Sequence, residues 1–101
     1  MIRHVVAFRL SARDDAERRE QVAEIKLRLE ALSDVVPGVI NIEVHGDLGL
    51  VETHWPVVLV ADYASSDALE QYQAHPRHLE VIGWMNQGVV TDRAVVDFEF
   101  F

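Results

Sequence analysis

Hydrophobic positions recur along the chain with two periods, and the switches between them mark its elements. From Ile2 to Leu10 the step is two: Ile2, His4, Val6, Phe8 and Leu10 share one face, and Arg3, Val5, Ala7 and Arg9 the other. That is the pattern of a strand, with His4 as the polar exception on an apolar face. After the polar turn Ser11–Asp15, where Ser11 or Asp14 can cap a helix, Val22, Ile25, Leu29, Leu32 and Val36 follow at steps of three and four. This spacing predicts an amphipathic helix whose solvated side carries Glu20, Glu24, Arg28 and Glu30. Pro37-Gly38 ends it. Alternation returns from Val39 to His45, with Ile40, Ile42 and Val44 opposed to Asn41, Glu43 and His45, as in a half-buried edge strand. Gly46, Gly49 and Pro56 break a longer connection that holds His54 and Trp55. Val57 to Tyr63 is apolar on both sides, which predicts a strand covered on both.

The second half opens with Ser65 as a helix cap and an apolar stripe beginning at Leu69 and Tyr72. Pro76 interrupts this helix. Proline lacks an N–H and disfavours helical geometry at the residue before it, but suits the first position of a new helix. One helix is therefore predicted to end near Ala74. A second starts at Pro76, carries Leu79, Ile82 and Trp84 inward, and ends at Gly88. Thr91 to Phe100 is the last strand, with Val95, Asp97 and Glu99 on one face and Ala94, Val96, Phe98 and Phe100 on the other.

The order strand, helix, strand, strand, broken helix, strand predicts an α+β, ferredoxin-like βαββαβ fold as a single domain over residues 1–101. Its four antiparallel strands would lie in the order 4-1-3-2, with the helices on one face. The other face would keep Val58, Val60, Val96, Phe98 and Phe100. In so short a chain only a second copy could bury them, so a homodimer packed sheet to sheet is expected.

Composition narrows the partners. The net charge of −8 disfavours nucleic acid and anionic membranes. The absence of cysteine removes disulfides and thiolate chemistry. The early apolar run is short and is followed by Arg9, unlike a signal peptide or membrane span, so a cytoplasmic protein is expected.

Candidate chemistry gathers at the helix break. Tyr72, His75 and His78 fall within one short stretch around Pro76. Strands 1 and 4 should be antiparallel neighbours, which brings His4 and Asp97 to the same end of the sheet and puts Val6 and Val95 on their shared face under the helices. The break would turn Tyr72 and His78 toward that end, so that His4, Tyr72, His78 and Asp97 line one pocket, with Val6, Phe8 and Val95 as its apolar wall. A histidine can serve as a base near neutrality, a tyrosine hydroxyl can donate to a developing oxyanion, and Asp97 is the candidate to orient His78. His75 is expected to support the break through a backbone hydrogen bond. The spacing of His75 and His78 matches no strong metal motif, and neither a metal nor another cofactor is called for.

Over essentially its whole length the chain resembles the stress-responsive dimeric α/β-barrel (Dabb) family. The similar motifs are His4-Val5-Val6-Ala7-Phe8, Pro37-Gly38-Val39, Ser65-Ser66-Asp67-Ala68-Leu69, Tyr72-x-x-His75-Pro76-x-His78 and Val96-Asp97-Phe98-Glu99. The resemblance implies a ferredoxin-like fold, a dimer whose two sheets close into a barrel, and a pocket between helices and sheet in each subunit. One branch of the family cyclises linear polyketides by an intramolecular aldol reaction, using a Tyr and a His at positions matching Tyr72 and His78. Other members are known as stress-induced proteins, some plant relatives bind a divalent ion, and the wider superfamily includes monooxygenases. The cyclase branch lines its pocket with large aromatics from the first helix, where this chain has Val22, Ala23, Ile25 and Leu29. A different pocket shape and substrate are expected. The resemblance thus implies a small apolar or aromatic ligand, bound or turned over by Tyr72 and His78 without a cofactor. The alternatives are a non-catalytic, stress-associated binding dimer and a monooxygenase-like protein.

Overall fold

In the computed structural model, which describes residues 1–101, the elements are β1 (Ile2–Leu10), α1 (Asp15–Glu30), β2 (Val39–Gly46), β3 (Val57–Tyr63), α2 (Ser66–Ala74), α3 (Pro76–Met85) and β4 (Val90–Glu99). A short 3-10 turn, Ala31–Asp34, prolongs α1. The four strands form one sheet in the order β2-β3-β1-β4, every pair antiparallel. This is the ferredoxin-like order, with β2 and β4 as edges. β1 is central because it pairs on both sides: His4, Val6 and Phe8 stand opposite Ala61, Leu59 and Val57 on β3, and opposite Asp97, Val95 and Arg93 on β4.

Alternation puts His4, Val6 and Phe8 on the face under the helices, where they meet Ile42 and Val44 of β2 and Val57, Leu59, Ala61 and Tyr63 of β3. Ile25, Leu29, Leu32, Val36, Leu69, Tyr72, Val81 and Met85 close the core from above. Each such aliphatic or aromatic side chain stabilises the fold by roughly 1.5–3 kcal/mol on full burial. Helices α1 and α2 start on oxygen caps: Asp14 Oδ1 accepts from the Glu17 N–H at 2.8 Å, and Ser65 Oγ from the Ala68 N–H at 3.1 Å. Each cap satisfies a backbone donor that the first turn leaves without a helical partner.

Two inward assignments need correction. Ile40 does not join Ile42 and Val44: it is 52% exposed, because the ladder shifts between Val39 and Asn41. An extra residue at a bulge reverses the alternation beyond it. Leu79 is also exposed, while Val81 and Met85 of α3 are buried. Leu79 would continue the Tyr72 stripe only in an unbroken helix, and the break resets the phase.

The second face of the sheet stays uncovered. Val96 and Phe98 are exposed there, and Val5, Ala7, Val58 and Val60 only partly buried. Beside them Arg3 bridges to Asp62 at 2.8 Å. No helix is long and apolar enough to cross a membrane.

Candidate functional site

The site is built on the break between α2 and α3. His75 is extended (φ −65°, ψ 135°), so the helical ladder cannot run through it. In a continuous helix the Arg77 N–H would reach the Gln73 carbonyl. Here that N–H donates instead to His75 Nδ1 at 3.1 Å, and the Gln73 carbonyl accepts from His78 Nδ1 at 3.1 Å. The two imidazoles are thereby held in opposite tautomers. His75 presents Nδ1 as an acceptor and caps α3, while His78 carries its proton on Nδ1 and keeps Nε2 free.

Beneath this junction lies a cleft of about 190 Å³, walled by Val6 and Phe8 of β1, Leu59 of β3, Val95 of β4, Leu29 of α1 and Ile82 of α3. Its polar lining comes from His4, Tyr72, Gln73, His78 and Arg93. Tyr72 is 1% exposed, and its ring lies 4.4 Å from that of His78, centroid to centroid. On its other side Tyr72 meets Tyr63 at 5.2 Å, and Tyr63 in turn approaches His4 at 6.4 Å. A ladder of four rings thus runs from the sheet to the helix break. The Tyr63 and Tyr72 hydroxyls are buried with no hydrogen-bond partner in the protein.

Burial sets the electrostatics. It pushes the Tyr72 hydroxyl up to about 12 and raises that of Tyr63 further, since a phenolate is poorly solvated in the core. It acts oppositely on His78, where it disfavours the imidazolium and lowers the pKa. The Gln73 carbonyl offsets part of this, and the nearby His4 and His75 add to it. At neutral pH Tyr72 is a donor and His78 a neutral imidazole.

The sequence-derived set is brought together in part. His4, Val6, Phe8, Tyr72, His78 and Val95 all line the cleft. Val95 does so from the rim, 52% exposed, because the helices leave β4 largely uncovered. His75 is not in the lining; it is committed to capping α3. Asp97 does not orient His78. Its Oδ1 is hydrogen-bonded to Nδ1 of the buried His4, directly across the strand pair, and the acceptor for His78 is the Gln73 carbonyl. Sequence reasoning missed two residues. Tyr63 continues the inward face of β3 opposite Ile2, so strand pairing could have placed it near His4. Arg93 shares its face of β4 with Val95 and Asp97, and alternation alone could have flagged it.

Comparison with known proteins agrees with this architecture. The family model described as Stress responsive A/B Barrel Domain (Dabb) matches residues 2–100. The chain belongs to that family. It is similar to a dimeric protein of unknown function and ferredoxin-like fold from Bacteroides fragilis, with 29% identity, 98% of this chain and 95% of the other covered, and a TM-score of 0.84. A dimeric ferredoxin-like protein of unknown function from Thermobifida fusca shares 29% identity over 98% and 90% of the two chains, TM-score 0.79. A structure described as an antibiotic biosynthesis monooxygenase superposes over 100% of this chain and 99% of its own, TM-score 0.75, but at 12% identity this likeness extends to the fold alone. No curated protein matches in sequence.

Proposed function

We propose that this protein binds a small apolar or aromatic carbonyl compound in the cleft, and that Tyr72 and His78 act on it as an acid–base pair in a cofactor-free, aldol-type cyclase or lyase reaction. The observation that carries the reading is the opposed protonation of two rings in contact: a buried phenol held as a donor, beside an imidazole whose Nε2 is left free by the Gln73 carbonyl. In this reaction His78 Nε2 takes a proton from the carbon next to the substrate carbonyl. The C–H electron pair moves into the enolate, and the Tyr72 O–H donates to the oxygen on which charge develops. Attack of that enolate on a second carbonyl forms the new C–C bond and closes a ring, and the resulting alkoxide takes its proton from the His78 imidazolium; the reverse sequence cleaves one. Aromatic stacking and the low polarity around Leu29, Leu59 and Val6 favour a substrate whose body is apolar. The working unit in this reading is a homodimer. It is supported by the uncovered apolar sheet face and by the dimeric Bacteroides and Thermobifida proteins.

The first half-reaction can be tested without knowing the substrate. Acetophenone in D2O loses its methyl protons when a base removes them, and NMR follows the loss. The wild type should accelerate this exchange. Both His78→Asn and Tyr72→Phe should bring it back by about 10²-fold or more, toward the buffer rate. Acetophenone bound without exchange would replace catalysis by a non-catalytic binding role. No exchange, with oxygen consumed on a quinol, would move the protein to monooxygenase chemistry.

A further inference from the structure

The cleft has a long axis, and its two ends differ in chemistry. His78 and Ile82 of α3 and Asn86, its C-cap, follow at steps of four residues, so they share one side of the helix across about 12 Å. Ile82 lies in the cleft wall beside His78, and the Asn86 side chain reaches β4. The face of β4 beneath carries Asp97, Val95 and Arg93 opposite His4, Val6 and Phe8. The His78 end therefore lies over the His4–Asp97 pair, the middle is apolar, and the Asn86 end meets Arg93.

Arg93 stands in the lining at that far end. Its Nη2 donates to Asn86 Oδ1 at 2.5 Å, and its guanidinium lies 5.8 Å from the centre of the Phe8 ring. Both contacts orient the group, and neither neutralises it. Arg93 is bridged to no carboxylate, unlike Arg3, Arg13, Arg18 and Arg28. With four of its five donors unspent on Asn86, the guanidinium retains the fork that matches a carboxylate. The chain carries a net charge of −8, yet Arg93 is the one arginine or lysine in this cleft, and no Asp or Glu lines it.

We propose that Arg93 is the specificity residue of the cleft and that it selects substrates carrying a carboxylate at the end remote from the reacting carbonyl. This deepens the acid–base reading above and rests on it. The volume of about 190 Å³ limits the apolar body to one ring with short substituents, since cavities of about 150 Å³ hold benzene. The ligand class is a small aromatic or similarly compact keto acid. Its carbonyl lies against Tyr72 and His78 and its carboxylate on Arg93, with the apolar middle between Val6, Val95 and Ile82.

The test compares 4-acetylbenzoate with its neutral isostere 4-acetylbenzamide, using calorimetry for affinity and methyl-proton exchange in D2O for reactivity. The wild type should bind the acid about tenfold more tightly than the amide, as expected for one charge-assisted hydrogen-bonded pair. Arg93→Gln should bring the two compounds to within about twofold, and Arg93→Lys should restore part of the preference. Arg93 is exposed on an edge strand, and circular dichroism would confirm that both variants fold. Equal binding of acid and amide by the wild type, or a preference that survives Arg93→Gln, would overturn the role of Arg93 and leave the acid–base reading standing. If neither compound binds, the cleft is not a carbonyl site, and both readings fall.

Discussion

The carbonyl oxygen of Gln73 accepts a hydrogen bond from the ring of His78 at 3.1 Å, across the point where α2 gives way to α3. The interruption that costs the helix a backbone hydrogen bond thus supplies the acceptor that sets the tautomer of the imidazole. Fold and candidate chemistry meet in this one contact.

Burial lowers the pKa of His78 below its ordinary 6.5, which gives stability a definite slope. Between the folded pKa and 6.5 the unfolded chain binds more proton than the folded one, so stability falls as pH drops through this window. It levels off below the folded pKa, and above 6.5 the group contributes no slope. Urea denaturation between about pH 7.5 and 5 should show this loss, and His78→Gln should flatten it. Equal slopes in the two proteins, or an NMR titration placing His78 above 6.5, would contradict the assignment.

The Asp97 carboxylate is expected to matter for His4 and not for His78. Asp97→Ala leaves the buried Nδ1 of His4 without its partner and should cost about 1–3 kcal/mol, with Asp97→Asn costing less. Denaturation measures the cost, and NMR titration of His78 in the same variants should show little change. A His78 pKa that moved strongly on loss of Asp97 would restore the direct pairing that the structure replaces.

His75 should behave as a helix cap. Its Nδ1 satisfies the Arg77 N–H, so His75→Ala should destabilise the protein by about 0.5–2 kcal/mol, and His75→Asn, which keeps a capping acceptor, by less. Acetophenone exchange should be nearly unaffected by His75→Asn. If exchange fell in the Asn variant as far as in His78→Asn, His75 would belong to the reacting groups.

Val60 stands opposite Val5 on the uncovered sheet face. Val60→Asp would place a charge in the proposed subunit interface, where an unpaired carboxylate costs several kcal/mol. Sedimentation equilibrium should find a dimer for the wild type at micromolar concentration and monomer or unfolded chain for the variant. A monomeric wild type would remove the dimer from the proposal.

Strand and helix periods, the βαββαβ order, the shared inward face of Val6 and Val95 and the break at Pro76 were all legible in the sequence. Each follows from local backbone geometry: a side-chain period of two or 3.6, a missing N–H, and the strand order those elements impose. Which polar groups meet was not legible, because it depends on how elements are set against one another. His4 and Asp97 meet because the β1–β4 register stands them directly opposite. His78 lies elsewhere, on a helix whose rotation after the break is set by burial of Val81 and Met85. The same rotation exposes Leu79, brings His78 to the Gln73 carbonyl, and aims Asn86 at Arg93. The hydrophobic pattern carries one dimension of information and identifies a face. The partner of an imidazole or a guanidinium is decided in three, by the packing of a core that fits at one rotation of each helix.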